Sequence, residues 1–190
     1  MARILSRPLV LVVTTIAVSL AAGCSGALGT PHDQANGYIT EANKAIDEHN
    51  RLFEEARGSY EEAKEAVESG EDTSQEEVDG LTQARESLQE ARDELEGARE
   101  PLTEIQDLDV ESQIKEYATL LSEAIDAQIA AENREMSFYE ILEQDPTLSD
   151  SRDEAEETLT EVGDGYQEAE NSYNQAQELA DANPELLKES

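Results

Sequence analysis

The chain has 190 residues, of which 46 are acidic and 13 basic, for a formal charge of −33, with no tryptophan and two phenylalanines. A field of that sign repels phosphate backbones and anionic lipid headgroups, and no basic patch offsets it, so nucleic acid is not expected as a partner. Acidity of this degree also suits an unstructured tail, but the helical periodicity of the body argues for a folded domain.

The N-terminal stretch carries Arg3 and Arg7, runs apolar from Leu9 to Leu20, and ends in small residues before Cys24. Basic, apolar and small segments in that order read as an export signal. The apolar run is shorter than the roughly 20 residues a membrane span takes. Ala21-Ala22-Gly23-Cys24 resembles the lipobox of bacterial lipoproteins, with Leu20 one place earlier than the usual leucine. The resemblance implies cleavage between Gly23 and Cys24 and acylation of Cys24, which becomes the mature N-terminus. An ordinary secretory signal or an uncleaved helix would leave an unpaired thiol. Cys24 is the only cysteine, so no disulfide explains it, whereas lipidation accounts for its presence and its position. The expected location is the extracytoplasmic face of the cell membrane, with the lipid as anchor. Residues 1–23 are then the signal peptide and 24–34 a lipidated N-terminus and flexible tether. Residues 35–190 form an acidic helical domain.

From Ile39 a seven-residue repeat sets in. Ile39, Ile46, Phe53, Tyr60 and Val67 alternate with Ala42, His49, Ala56 and Ala63, the seam of a helix that packs on other helices. Gly70 and the polar residues after it break the pattern, and Ser74 with Glu77 spells a capping box for the next helix. There Leu81, Leu88, Leu95 and Leu102 alternate with Ala84, Ala91, Ala98 and Ile105. Pro101 falls inside this register, so the helix is either kinked or split there. A turn follows near Asp107, with Asp109 as the expected N-cap.

The third helix, about Val110 to Gln144, has the widest apolar stripe, including Ile114, Tyr117, Leu121, Ile125, Ile129 and Phe138. Asp145-Pro146 ends it. Ser151 with Glu154 spells the cap of a fourth helix, whose seam is Leu159, Val162, Tyr166, Ala169, Tyr173, Ala176 and Ala180. Gly163 and Gly165 weaken that helix by roughly 1 kcal/mol each relative to alanine. The stretch from Phe53 to Ala63 aligns with that from Tyr166 to Ala176 and less closely with Leu88 to Ala98. Either a helical hairpin was duplicated, or low-complexity heptads converged. Short turns between long helices predict an all-α fold, an elongated up-down-up-down antiparallel bundle of four helices with coiled-coil-like seams.

The sequence spells no active site. His32 lies in the tether, and His49 on a seam reads as an interior polar group. No second histidine or other base accompanies a serine or threonine to activate it. Gly-rich phosphate loops and zinc-ligand spacings are missing too, and no cofactor is expected. Asp107, Asp109 and Glu111 at one turn, and Asp145, Asp150 and Asp153 at another, are weak candidates for Ca²⁺ ligands. Diffuse condensation of cations along the rod is the competing reading. Six tyrosines supply most of the aromatic content, and seam packing is their default. Tyr38, Phe138 and Tyr139 form an alternative, an exposed set that stacks on sugar rings. An enzyme would need a carboxylate pair, and a buried, perturbed pair in a cleft would mark one.

Set beside the lipobox and the acidic helical body, the segments Arg99-Glu-Pro101-Leu-Thr-Glu-Ile105 and Phe138-Tyr-Glu-Ile-Leu-Glu-Gln-Asp-Pro-Thr-Leu148 resemble the YkyA-like cell-wall-binding lipoproteins. The resemblance implies a membrane-anchored, non-enzymatic module of the cell envelope, with cell-wall polymer as its partner. A polyanionic body meets anionic wall polymers only through bridging cations. The alternative from the residues themselves is an adaptor or chaperone-like bundle that binds an envelope protein.

Overall fold

The computed structural model describes residues 29–69 and 75–184. The signal peptide with Gly23, and Cys24 with tether residues 25–28, lie outside these residues, as does Ser74 of the capping box. The described residues form four long helices and no strand: α1 (Pro31–Ser69), α2 (Gln75–Glu104), α3 (Ser112–Gln144) and α4 (Arg152–Ala182), with a 3-10 turn at Ile105–Asp107. They pack as an antiparallel bundle. At 1.5 Å per residue, the 39 residues of α1 run about 58 Å.

Helix α1 begins earlier than the heptads suggest, at Pro31, where a missing N–H costs nothing and the fixed φ favours helix. Thr30 caps it. The Thr30 hydroxyl accepts the Asp33 N–H at 3.2 Å, and the Asp33 carboxylate accepts the Thr30 N–H at 2.8 Å. This is a capping box closed by aspartate. Residues 31–34, read above as tether, are therefore helix.

Pro101 neither splits nor ends α2, which runs through it to Glu104. The chain then tightens into the 3-10 turn. Helix α3 starts at Ser112 with Glu111 as its N-cap, and no side chain closes that end, so Asp109 is not the cap. The connection is held from elsewhere. The Gln106 amide donates to Lys115 O and Thr119 Oγ1, Lys115 Nζ donates to Gln106 O, and Val110 packs on the core.

Ser151 precedes α4 as expected but makes no side-chain cap bond. Asp145 takes that role from the start of the loop. Its carboxylate accepts the N–H groups of Ser149 (3.1 Å), Asp150 (2.8 Å) and Ser151 (3.0 Å). Between them Leu148 adopts φ 49° while its side chain is buried. Left-handed backbone is unfavourable for leucine, and burial of the side chain together with the Asp145 bonds holds it there.

The large-and-alanine seams are the core. Ile39, Phe53, Leu81, Leu88, Leu95, Leu102 and their intervening alanines are buried, as are Val162, Tyr166, Ala169, Tyr173 and Ala176. Small residues let backbones close up: Gly80 faces the Ala63 methyl, and Gly165 meets Ala131 so closely that an added methyl would lie 2.9 Å from the Ala131 Cβ. The backbones of α1 and α2, of α3 and α4, and of α2 and α3 run side by side, whereas α1 and α4 have almost no backbone approach. Large side chains span that fourth side, with the rings of Phe53 and Tyr166 in edge contact at 5.9 Å.

A polar interface secures α2 to α3. Arg85, Arg92 and Arg99 follow at seven-residue intervals on α2 and reach Glu143, Asn133 and Asp126 on α3. Gln106, seven residues on, reaches Thr119.

Candidate functional site: a buried polar layer

Apolar packing is not continuous along the rod. One core cluster gathers around Ile39, Leu95, Ile114 and Tyr117, and another around Phe53, Leu88, Phe138 and Tyr166. Between them lie buried polar side chains that the heptads themselves place. On α3 the positions Ile114, Leu121, Gln128, Glu135 and Leu142 are seven apart, as are Ala118, Ile125, Glu132 and Tyr139. Gln128, Glu132 and Glu135 therefore point inward as surely as leucines would, and His49 does the same from α1.

His49 is 1% and Glu132 0% exposed. His49 Nε2 lies 2.7 Å from Glu132 Oε1. The Gln128 amide nitrogen is 3.0 Å from the same oxygen and 3.1 Å from His49 Nε2. An amide nitrogen only donates, so Glu132 Oε1 accepts from Gln128 and from the ring N–H. His49 Nδ1 meets Asn50 Oδ1 at 3.1 Å, and the ring stacks on Phe53. Glu132 Oε2 and the Tyr173 hydroxyl, both buried, have no hydrogen-bond partner.

One turn further along α3, Glu135 accepts from the Tyr139 hydroxyl at Oε1 and the Tyr166 hydroxyl at Oε2, each at 2.5 Å. Burial raises the Glu135 carboxyl above the ordinary range and outweighs those two bonds, which favour the anion; the neighbouring Glu132 adds to the rise and Arg57 opposes it. Burial, with Glu135 beside them, pushes the Tyr139 and Tyr166 phenols far up, and burial does the same to Tyr173. Burial alone raises Tyr117 to about 12.

Glu132 and Glu135 are thus a buried carboxylate pair, but they are sealed inside packed helices. Glu132 is 0%, Glu135 7% and its partner Tyr139 1% exposed.

The other sequence candidates fare differently. His49 is an interior polar group as expected. Phe138 and Tyr139 are buried, with Tyr60 stacked on Tyr139 at 5.1 Å, which removes them from a sugar-stacking face; packing of the α3 seam against α1 takes them inside. Tyr38 is partly buried against the core. Asp107, Asp109 and Glu111 are all exposed. The Asp145 carboxylate is committed to the loop N–H groups, which hold it well below the usual carboxylate range. Among the described residues no three His, Cys, Asp or Glu side chains converge as a metal site, and no helix is long and apolar enough to cross a membrane.

Comparison with protein-family models, with curated proteins and with solved structures finds no match to this chain.

Proposed function

We propose that the protein is a lipid-anchored, non-enzymatic binding or structural module of the cell envelope. The observation that carries this reading is the Ala21-Ala22-Gly23-Cys24 lipobox, which follows a basic and apolar export signal and ends in the only cysteine. The acylated Cys24 holds the chain on the extracytoplasmic face of the membrane. Wall polymer is the partner, as the resemblance to YkyA-like lipoproteins implies, and the acidic rod meets it through divalent cations. The even spread of carboxylates over the outer faces supports a bridged contact more than a single tight site.

Two measurements test the two halves. Expression with a labelled fatty acid should mark the wild type and leave Cys24→Ala unlabelled; an unlabelled wild type overturns the anchor. Purified cell wall should retain the full chain with Ca²⁺ and release it with a chelator. No retention under either condition overturns wall binding and leaves an envelope protein as the partner to seek by cross-linking.

A further inference from the structure

The four sides of the bundle are held by different means. Backbones run side by side between α1 and α2, α2 and α3, and α3 and α4, whereas α1 and α4 have almost no backbone approach. Side chains must therefore join α4 to α1. Phe53 and Tyr166 supply one apolar contact, and the polar layer beside them holds the parts of a second.

Antiparallel packing sets where those parts lie. Tyr166 meets Phe53. Tyr173, two turns further along α4, therefore lies just beyond His49, which is one turn back along α1. Tyr173 accordingly shares a core cluster with Ile46 and Ile125. A helical side chain leans toward the N-terminus of its own helix, which brings the Tyr173 hydroxyl back to the level of His49. Glu132 reaches that level from α3, since its Oε1 is 2.7 Å from His49 Nε2. The two groups feel each other: after burial, the Glu132 charge is the next influence that pushes the Tyr173 phenol up.

Hydrogen bonding at Glu132 is one-sided. Oε1 accepts from the His49 ring and from the Gln128 amide. Oε2 of the same carboxylate and the Tyr173 hydroxyl are both buried and have no hydrogen-bond partner within the protein. An unbonded polar atom at such a place is costly. A carboxylate only accepts, whereas a phenol can donate, so a small group that donates to the first and accepts from the second satisfies both. Water does this, and a buried water makes about two to four such bonds. A divalent cation suits the place less well, because it takes about six or more oxygens. Positive charge already comes from α2, where the Arg92 guanidinium bonds Asn133, the residue after Glu132.

We propose that Glu132 Oε2 and the Tyr173 hydroxyl bind one internal water molecule. The water donates to Glu132 Oε2 and accepts from the Tyr173 hydroxyl. It completes a hydrogen-bonded chain, Tyr173–water–Glu132–His49, that runs from α4 through α3 to α1 and ties the side that lacks backbone contact.

Two measurements on the full chain test this: a crystal structure at a resolution that shows ordered water, and ¹⁷O magnetic relaxation dispersion, which counts waters bound for longer than the protein takes to tumble. The expected results are a density peak about 2.5–3.0 Å from both oxygens, and one long-lived water fewer in Tyr173→Phe than in the wild type. Should Tyr173→Phe fail to fold, the wild-type density decides alone. The proposal is overturned by a direct Tyr173–Glu132 bond with no density between them, by a peak that reaches only one of the two oxygens, by a peak ringed by about six oxygens as a cation would be, or by an unchanged count in Tyr173→Phe.

Discussion

Gly163 and Gly165 are two residues apart on α4 and have opposite roles. Nothing lies within 4 Å of a methyl placed at Gly163, whereas one placed at Gly165 meets the Ala131 Cβ at 2.9 Å and its Cα at 3.3 Å. Gly163→Ala should therefore gain up to about 1 kcal/mol of helix propensity. Gly165→Ala gains the same amount but must push α4 off α3, for which overpacking costs about 1–3 kcal/mol. Thermal denaturation should show a higher Tm for the first variant and an unchanged or lower one for the second; equal rises would mean that the helices do not approach so closely. The buried layer makes a sharper prediction. His49→Leu takes one of the two donors from the buried Glu132 Oε1, at about 1–3 kcal/mol. Replacing His49, Gln128 and Glu132 together by leucine removes the groups that His49→Leu strands and should restore much of that loss in denaturant titrations. A triple variant as unstable as His49→Leu would show that the layer contributes more than paired polarity.

The α2–α3 interface makes a prediction about an element. Arg85, Glu143 and Arg92 are each less than a third exposed, while Arg99 and Asp126 pair nearer the surface. Such pairs contribute about 0.2–1 kcal/mol each, so Arg85→Ala, Arg92→Ala and Arg99→Ala combined should cost about 1–3 kcal/mol, measured by denaturant unfolding, and less in high salt. The seven-residue spacing of these arginines was as readable as that of the leucines beside them. Periodicity alone marked the α1, α2 and α4 seams, and it placed Gln128, Glu132 and Glu135 inward on α3 as well. A reading that follows apolar residues passes over these three because each is polar, although the register that buries Leu121 also buries Gln128. What the sequence could not disclose was distance. That His49 meets Glu132 rather than a residue a turn away depends on how α1 lies against α3, which the α1–α2 connection and the close α3–α4 packing determine. The loop before α4 was legible only in part. Ser151 stands where a cap belongs, but Asp145 reaches the N–H groups first because Leu148 turns left-handed. The Asp145 carboxyl is lowered in the fold, so its contribution is complete above the ordinary aspartate range and is lost as pH falls through the lowered value. Asp145→Asn should therefore lower the Tm across the neutral and alkaline range and weaken the further loss on the acid side, as followed by melting between pH 2 and 9.

For the molecule as a whole, charge governs how firmly the rod holds. The chain carries a formal charge of −33, most acidic residues of the described helices are exposed, and close i,i+3 and i,i+4 pairs such as Arg51 with Glu48 and Glu55 neutralise only part of their charge. Repulsion between like charges opposes compaction, and screening relieves it as the Debye length falls from about 30 Å at 0.01 M salt to about 3 Å at 1 M. Raising NaCl from 10 mM to 1 M should then raise the Tm steadily, without a plateau at low concentration. Ca²⁺ separates two ways in which carboxylates can recruit cations. Condensation along the rod depends on valence and predicts that Mg²⁺ and Ca²⁺ stabilise equally at equal concentration. A built site would distinguish them, because Ca²⁺ takes six to eight oxygens flexibly whereas Mg²⁺ demands octahedral geometry and keeps its waters. The exposed positions of Asp107, Asp109 and Glu111, and the engagement of Asp145 with its own loop, favour equal effects. Matching melting curves in the two ions would place cation binding on the whole acidic surface. A Ca²⁺-specific rise would place it at one turn, and substitution of Asp107 or Asp150 would then show which.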